Sequence, residues 1–362
     1  MKLKPLNDLA FIEKVSSFHK GQKYLVGGCV RDWLLGLKCF DLDFLFDKNH
    51  KNAANKTAKE FSGKVEYFDK FLTARVFCGQ LRADFASFRK EKYEKPAALP
   101  KVFKALSLKE ELKRRDFTIN SMALSLNKQD LYEIKDPYGG YADLKNKKLR
   151  ILHEKSFQDD PTRIFRAARF CARFKLSLDK KTFLSLKSAI KNKNISLLSA
   201  ERKRNELIKI LSEEKSFAAL SLLKKWKALE QSWPFVSPKK EIDMFKSAFE
   251  RLVFLAASTP APKAFILSLN LPAEEKKNIL NEIKPFDIKR NPAHPSELQA
   301  KIYKILYSKE LKPLFLSFAD INVKGFSPQK SGEIMDKISS MQWLGKIKSK
   351  KEAENKILTE KI

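Results

Sequence analysis

The strongest constraint on the fold is a change of pattern near residue 150. Before it, the short runs KYLVGG, DLDFLF, VEYF, LRADFAS and MALSL read as strands set off by Gly, Asp and Asn, with helices between them. From about residue 155 onward, apolar residues recur at helical spacing and glycine almost disappears. This order predicts an α+β chain: a head on a small antiparallel or mixed sheet, then an all-helical remainder. The boundaries read from the pattern are a head over 1–145, a first helical segment over 146–215 and a second over 216–362. Gly140 to Leu149 reads as the turn that joins head to helices. Pro234, Pro238, Pro260, Pro262, Pro285, Pro292 and Pro295 read as punctuation between later helices. The charged tail from Lys346 reads as a solvated helix or a frayed end.

Charge narrows the class of partner. Lys plus Arg number 73 and Asp plus Glu 43, a net charge of +30 over 362 residues. A surplus of this size favours a polyanion, because neutralising phosphates releases counterions. A Lys-rich composition contributes to it without easily explaining the imbalance. The four cysteines, Cys29, Cys39, Cys78 and Cys171, match no zinc spacing and read as reduced and mostly buried. The N-terminus lacks the apolar core of a signal peptide, and no run of about eighteen apolar residues spans a membrane. The reading is a cytoplasmic protein with no membrane partner; oligomeric state is not legible.

The candidate chemistry begins at YLVGGCVRDWLLGLKCFDLDFLF, residues 24–46. Tyr24-Leu25-Val26 reads as a strand and Gly27-Gly28 as a turn where backbone N–H groups can approach phosphate. Val30 to Leu35 reads as a short helix, and Asp41 to Phe46 as a second strand. Residues i and i+2 of a strand share a face, so Asp41 and Asp43 project together, roughly 7 Å apart. Leu42 and Phe44 point to the other face, into a core. Two carboxylates on one face repel unless cations sit between them, and Mg²⁺ prefers carboxylate oxygens plus substrate phosphates. An Asp-x-Asp alone is usually a solvated strand edge; behind a Gly-Gly turn and an Arg-Asp pair it is more specific. In LRADFAS, Arg82, Asp84 and Ala86 share a face, so Asp84 is a candidate third carboxylate on a neighbouring strand.

Two arginine-bearing segments follow. LKRRDFTINSMAL, residues 112–124, places Arg114, Arg115 and Asp116 before an apolar run. Arg forks suit phosphate and Asp suits a ribose hydroxyl, although alone the segment reads as a salt-bridged helix end. QDDPTRIFRAARFCARF, residues 158–174, starts with Asp160-Pro161, a good helix start. At about 100° per residue, Arg163, Arg166, Arg169 and Arg173 fall on one side, and Ile164, Phe165, Ala168, Cys171 and Phe174 on the other.

Together these segments resemble the class II tRNA nucleotidyltransferases and bacterial poly(A) polymerases of the DNA polymerase beta-like superfamily. GGCVRD with DLDF resembles the family's first motif, RRDFTIN its ribose motif, and DPYGGYADL its head–neck motif. DDPTR resembles its neck motif and SAERKRNEL its closing helix motif. The resemblance implies a catalytic head over 1–145, a base-reading neck over 146–215 and a tRNA-binding body and tail over 216–362. It implies two Mg²⁺ ions on Asp41 and Asp43, with Asp84 as the third catalytic carboxylate. Gly27, Gly28 and Arg31 would steady the triphosphate. Arg114, Arg115, Asp116 and Asn120 would contact ribose and phosphate. Asp160 and Arg163 would pair with the incoming base, and Asp159, Arg166, Arg169, Glu201 and Arg204 would support the neck. Partners would be CTP, ATP and the tRNA acceptor end. Asp159 departs from the family's usual Glu, which bears on how Arg163 is held, and Glu111 stands where Asp is common.

The product is narrowed by what the sequence lacks. Residues 47–72 carry no Gly-Arg-Arg-Phe segment of the poly(A) type, and the loop from Arg89 to Lys113 has full length. No His-Asp dipeptide marks a phosphohydrolase domain. The leading expectation is complete CCA addition. Addition of A or CC alone, poly(A) synthesis, and a non-catalytic basic RNA-binding protein stand as alternatives.

Overall fold

The strand-like runs of the first half assemble into one mixed sheet. Its members are β1 (Lys23–Val26), β2 (Asp41–Phe46), β3 (Lys64–Phe68), β4 (Thr73–Cys78) and β5 (Leu81–Ser87). A separate hairpin of β6 (Arg89–Lys92) and β7 (Lys101–Lys104) comes next, and then β8 (Ala123–Ser125) and β9 (Ile134–Lys135) complete the sheet. Its order is β3-β4-β5-β2-β1-β8-β9. β2 and β5 run parallel, and every other neighbouring pair is antiparallel. The computed structural model describes all residues except 7, 40, 80, 293, 309–312, 323–325 and 360–362. The chain divides into two compact units, Met1–Leu197 and Leu198–Ile362.

Alternation along β2 decides which face of the sheet is core. Leu42, Phe44 and Phe46 are at most 1% exposed and pack against helices α1 (Leu9–Ser17) and, after the short α2 (Gly28–Leu34), α3 (His50–Glu60). Phe44 and Phe46 stack on Phe85 of β5, with centroids 5.3 and 6.1 Å away. Burying each such ring stabilises the head by about 1.5–3 kcal/mol. The opposite face carries Asp41 and Asp43, and beyond them Leu45, which packs with Phe88, Ala105 and Leu112.

Several segments differ from the sequence reading. Arg89 to Lys113, read as a loop, forms the β6–β7 hairpin followed by α4 (Leu108–Lys113). Ala105 N–H donates to Phe88 O and Phe88 N–H to Phe46 O, so the hairpin hangs from the end of β2. Gly140 to Leu149, read as a turn, forms α5 (Gly140–Lys145) and β10 (Lys148–Leu149). The Asp136 carboxylate accepts from Gly140 and Tyr141 N–H at 2.7 and 2.9 Å, satisfying donors that would otherwise be orphaned at the helix start. Helices α6 (Ser156–Asp159), α7 (Thr162–Phe174) and α8 (Lys180–Lys191) follow, interrupted by the two-residue β11 (Ser177–Leu178), which pairs parallel with β10.

The second unit is helical among its described residues, beginning with α9 (Ala200–Leu211). Its central helix, Ala248–Ala257, buries Leu252 to Ala256 at no more than 1% exposure. Pro285, read as punctuation, lies inside the helix Ala273–Ile288. Proline cannot donate to the carbonyl four residues back. That carbonyl, Asn281 O, instead accepts from Gln299 Nε2 at 3.2 Å. The tail is a helix with a solvated side over its described part, where Lys350, Lys351, Glu352 and Asn355 are exposed, and it also has a buried side. Lys350–Thr359 is a helix whose Ala353 and Ile357 are fully buried beside Ile334 and Ile338; residues 360–362 lie outside the described ones.

Candidate active site

The carboxylates come together through strand register. Asp43 of β2 is the partner of Asp84 in β5, and Asp41 of β2 is the partner of Arg82. Next along the sheet, Arg75 of β4 is the partner of Asp84. Alternation puts Asp41, Asp43, Arg82, Asp84 and Arg75 on the face away from the phenylalanine core. Arg75 grips Asp84 with both ends of its fork, at 2.6 and 2.9 Å, and Arg82 Nη2 reaches Asp41 at 2.6 Å. Asp43 sits between them. Burial pushes its carboxyl up to about 6, opposed by Arg115 and reinforced by Asp84 and Asp41.

The turn before α2 is shaped around that carboxylate. Gly27 has φ 79° and ψ −128°, a conformation open to glycine. A Cβ at this position would lie 2.6 Å from Arg115 Nη1 and 3.2 Å from Asp43 Oδ2. Gly28 has ordinary backbone geometry, its nearest would-be contact being Arg31 Nη2 at 3.6 Å. Arg31 is buried. It bonds Asp32 and Asn120, and its guanidinium lies 5.2 and 4.6 Å from the ring centroids of Phe170 and Phe174 in α7.

The two arginines of the RRD segment divide their duties. Arg114 is committed to the structure: Glu111 takes Nε and Nη2 at 3.0 and 2.6 Å, and Glu91 takes Nη1 at 2.9 Å. Glu111 is completely buried and also accepts from Arg89 N–H. Burial alone would raise its carboxyl, but Arg114 and Arg115 hold it below the usual range. Arg115 turns toward Gly27 and Asp43. Asp116 has both oxygens occupied. Oδ1 accepts from Phe117 N–H and Asn120 Nδ2, and Oδ2 accepts from Arg166 Nε at 2.7 Å. Burial works against ionisation there, yet Arg166 and Asn120 outweigh it and draw the carboxyl down to about 2. Arg31, Asn120, Asp116 and Arg166 thus form one chain of contacts through three separate sequence segments.

Helix α7 delivers the remaining groups. Asp160 Oδ1 accepts from Thr162 N–H and Oγ1 at 3.1 and 2.6 Å, so it caps the helix start. Arg163, one of the arginine stripe whose four members all line the cavity, is only 4% exposed. Its Nη1 donates to Ser156 Oγ at 2.7 Å and its Nη2 to the Arg114 carbonyl at 3.0 Å. Asp159 stands 3.8 Å from His153 Nδ1. Burial, with Arg163 and Lys113 nearby, lowers that imidazole to about 4, so the contact is not an ion pair at neutral pH. Arg169 lies beside the Phe170 ring at 5.7 Å.

These side chains line one cavity of about 880 Å³, which takes in Gly27, the three aspartates, Arg115, Asp116, Asp160, Arg163, Arg166 and Arg169. Glu201 and Arg204 lie in the second unit, 3.8 Å apart on α9. Arg75, Glu91 and Tyr93 also line the cavity and were not singled out from sequence. Arg75 had a local signal: it alternates with buried Ala74 and Val76, so it had to leave the core face.

The donor set suits a hard divalent cation. Asp41 and Asp43 offer carboxylate oxygens on one face, and Asp43 carries the unfavourable charge a cation would relieve. Among the described residues no three His, Cys, Asp or Glu side chains gather closely enough to enclose an ion. Arg75 holds the Asp84 carboxylate as Arg82 holds that of Asp41. An ion here would complete its shell with substrate phosphate and water.

The Poly A polymerase head domain matches residues 23–150, and the probable RNA and SrmB-binding site of polymerase A matches 175–240. An A-adding tRNA nucleotidyltransferase of Aquifex aeolicus is 44% identical over 211 residues, covering 58% of this chain and 25% of that protein. A CCA-adding enzyme of Francisella tularensis is 32% identical over 274 residues, covering 72% of this chain and 69% of its own length. The chain thus spans about a quarter of the first relative and over two thirds of the second. Among solved structures, an apo CCA-adding enzyme superposes with TM-score 0.66 at 27% identity, covering 98% of this chain and 97% of that one. The Thermotoga maritima CCA-adding enzyme, complexed with tRNA, gives 0.63 at 25% identity, covering 99% and 97%. No helix among the described residues is long and apolar enough to cross a membrane. The chain belongs to the nucleotidyltransferase family that contains the CCA-adding and A-adding tRNA nucleotidyltransferases and the poly(A) polymerase head.

Proposed function

We propose that this protein adds nucleotides to the 3′ end of tRNA without a template, using CTP and ATP to complete CCA. The observation that carries the reading is the pairing of Asp43 with Asp84 in one cavity that also holds Asp160, Arg163 and the Asp116–Arg166 pair. In the reaction, the tRNA 3′-hydroxyl oxygen bonds to the α-phosphorus and the bond to the pyrophosphate oxygen breaks. Asp41 and Asp43 would hold two Mg²⁺ ions, whose contribution is to neutralise charge on the attacking and leaving oxygens. Asp84 assists as base or as further support for that charge. Arg115, Arg31 and the Gly27-Gly28 turn steady the triphosphate, and Arg166 and Arg169 add positive charge along α7.

Nucleotide choice falls to Asp160 and Arg163. A fixed acceptor and a fixed guanidinium can match C and A while refusing G and U. Both already have protein partners, Thr162 for Asp160 and Ser156 for Arg163. Base reading there exchanges these hydrogen bonds rather than filling vacant positions, which favours bases that restore them. Asp116, with both oxygens engaged, acts by holding Arg166 and Asn120 toward the ribose.

A second reading, addition of A alone, draws on the higher identity to relatives named A-adding. Incubating the protein with tRNA lacking CCA, Mg²⁺ and single labelled nucleotides separates the cases. CTP then ATP incorporation stopping after three residues supports the proposal. Incorporation of ATP only onto a CC end supports the second reading. Unlimited ATP incorporation, or none, overturns both.

A further inference from the structure

Two phenylalanines stand in the wall of the cavity with no part in the chemistry described so far. Phe68 closes β3, and Phe71 ends the 3₁₀ turn Asp69–Phe71 that leads into β4. Both residues are 39% exposed, and both line the cavity that holds the carboxylates. Single exposed aromatics are ordinary on a protein surface; two on one turn, opening onto a cavity lined mostly by charged groups, are not. Alternation gives Phe68 its face. Val65 packs into the core and the Tyr67 hydroxyl donates to Asn55 of α3, so Glu66 and Phe68 look the other way, with Arg75 and Thr73 as their partners in β4. Arg75, which grips Asp84, lies 5.7 Å from the centre of the Phe68 ring. The backbone at Phe71 is anchored. Arg89 Nη1 donates to its carbonyl, Lys51 Nζ reaches Asp69 at 2.6 Å, and Leu72 takes the left-handed conformation before the chain enters β4.

We propose that Phe68 and Phe71 form a stacking platform for the last base of the tRNA 3′ end, and so set where the attacking hydroxyl lies. This rests on the nucleotide-addition reading and supplies the acceptor side of the same site. Sheet order gives the direction. The carboxylate strands β2 and β5 are neighbours; β1, which leads into the Gly27-Gly28 turn, flanks them on one side, and β4 and then β3 on the other. The glycine turn takes the triphosphate, so pyrophosphate leaves toward β1. In-line displacement brings the attacking oxygen in opposite the leaving one. That is the side of β4 and β3, where Phe68 and Phe71 lie. Arg75 joins the two sets of groups, with the Phe68 ring on one hand and the Asp84 carboxylate on the other.

Stacking also suits what this end of the site must do. The last base of the acceptor changes during addition, from the base that precedes CCA to C. Polar readers such as Asp160 and Arg163 would refuse some of these bases, whereas every base has a π-face. The incoming nucleotide is thus chosen by hydrogen bonds, and the growing end is held by rings indifferent to sequence.

The test measures binding of the full-length protein to two tRNAs that lack CCA, identical except that the last nucleotide of one is abasic, with no CTP or ATP present. The parent should bind the abasic RNA at least about fivefold more weakly, the low end of what stacking on one base contributes. In the double variant Phe68→Ala, Phe71→Ala, the ordinary RNA should weaken by that factor and the abasic RNA should weaken no further. Phe68→Leu with Phe71→Leu keeps apolar bulk for the fold and should behave like the alanine variant; Phe68→Tyr with Phe71→Tyr should behave like the parent. In nucleotide addition, the alanine variant should raise KM for tRNA and leave KM for CTP unchanged. Equal binding of the two RNAs by the parent, or a variant that weakens both alike, overturns the proposal. A rise in KM for CTP without one for tRNA also overturns it, because it assigns the rings to the incoming nucleotide. A protein that shows the base dependence but incorporates no nucleotide overturns the proposed function and leaves the platform standing.

Discussion

Glu111→Gln is expected to destabilise the first unit by about 3 kcal/mol, the low end of the 3–5 kcal/mol for breaking a buried ion pair by removing one partner. The substitution keeps the shape and removes one charge. Glu111 is completely buried and carries Arg114 on two bonds, Arg115 at 3.4 Å and Arg89 N–H at 2.9 Å. At an effective dielectric of 20, one pair near 4 Å is worth about 4 kcal/mol before desolvation is subtracted. Arg114 retains Glu91 at 2.9 Å, which limits the loss. For a unit of this size each kcal/mol moves Tm by about 2–4 °C, so calorimetry should show a drop of roughly 6–12 °C in one transition. The double variant Glu111→Gln, Arg114→Met should recover part of the loss, since it removes the uncompensated guanidinium. A single variant within about 0.5 kcal/mol of the parent, against the 3 or more expected, would refute the view that this carboxylate anchors the RRD segment.

Three further outcomes follow from the same geometry. Gly27→Ala forces a Cβ against Arg115 and Asp43 at a glycine-only backbone conformation, so kcat should fall sharply while Tm drops by the equivalent of about 1–3 kcal/mol; unchanged kcat would count against the close approach. His153 is lowered to about 4, so its stabilising share is complete above the unfolded value near 6.5 and is lost as pH falls from there to 4. Urea unfolding across that window should show at most about 3 kcal/mol of decline beyond that of His153→Gln. Arg251 is buried and donates to the carbonyls of Phe245 and Leu211 and to Ser216 Oγ, so Arg251→Met should destabilise the second unit by roughly 2–4 kcal/mol in calorimetry.

What could be read in the sequence followed locality. The alternation of Asp41, Asp43 and Leu45 against Leu42, Phe44 and Phe46 is a period-two signal within six residues, and the sheet obeys it. Gly27 was legible because a Gly-Gly turn between two strands has few uses. The contacts that define the cavity were not, because they depend on register between distant segments. Nothing near Asp84 announces Arg75, nine residues earlier, as its partner; the β4–β5 pairing does. Arg163 read as one of a stripe, yet Ser156 and the Arg114 carbonyl bury it, and only the fold brings them there. The tail was legible only in part: among its many lysines, Ile347, Ala353 and Ile357 face a core.

The central claim is that Asp43 carries the chemistry of nucleotide addition in this cavity. The direct measurement is single-turnover incorporation of labelled CTP into tRNA lacking CCA, comparing the parent with Asp43→Asn at equal folded concentration checked by calorimetry. The account predicts a loss of more than about a hundredfold, near 3 kcal/mol in activation free energy, with the fold intact. Incorporation by Asp43→Asn at the parental rate would contradict it.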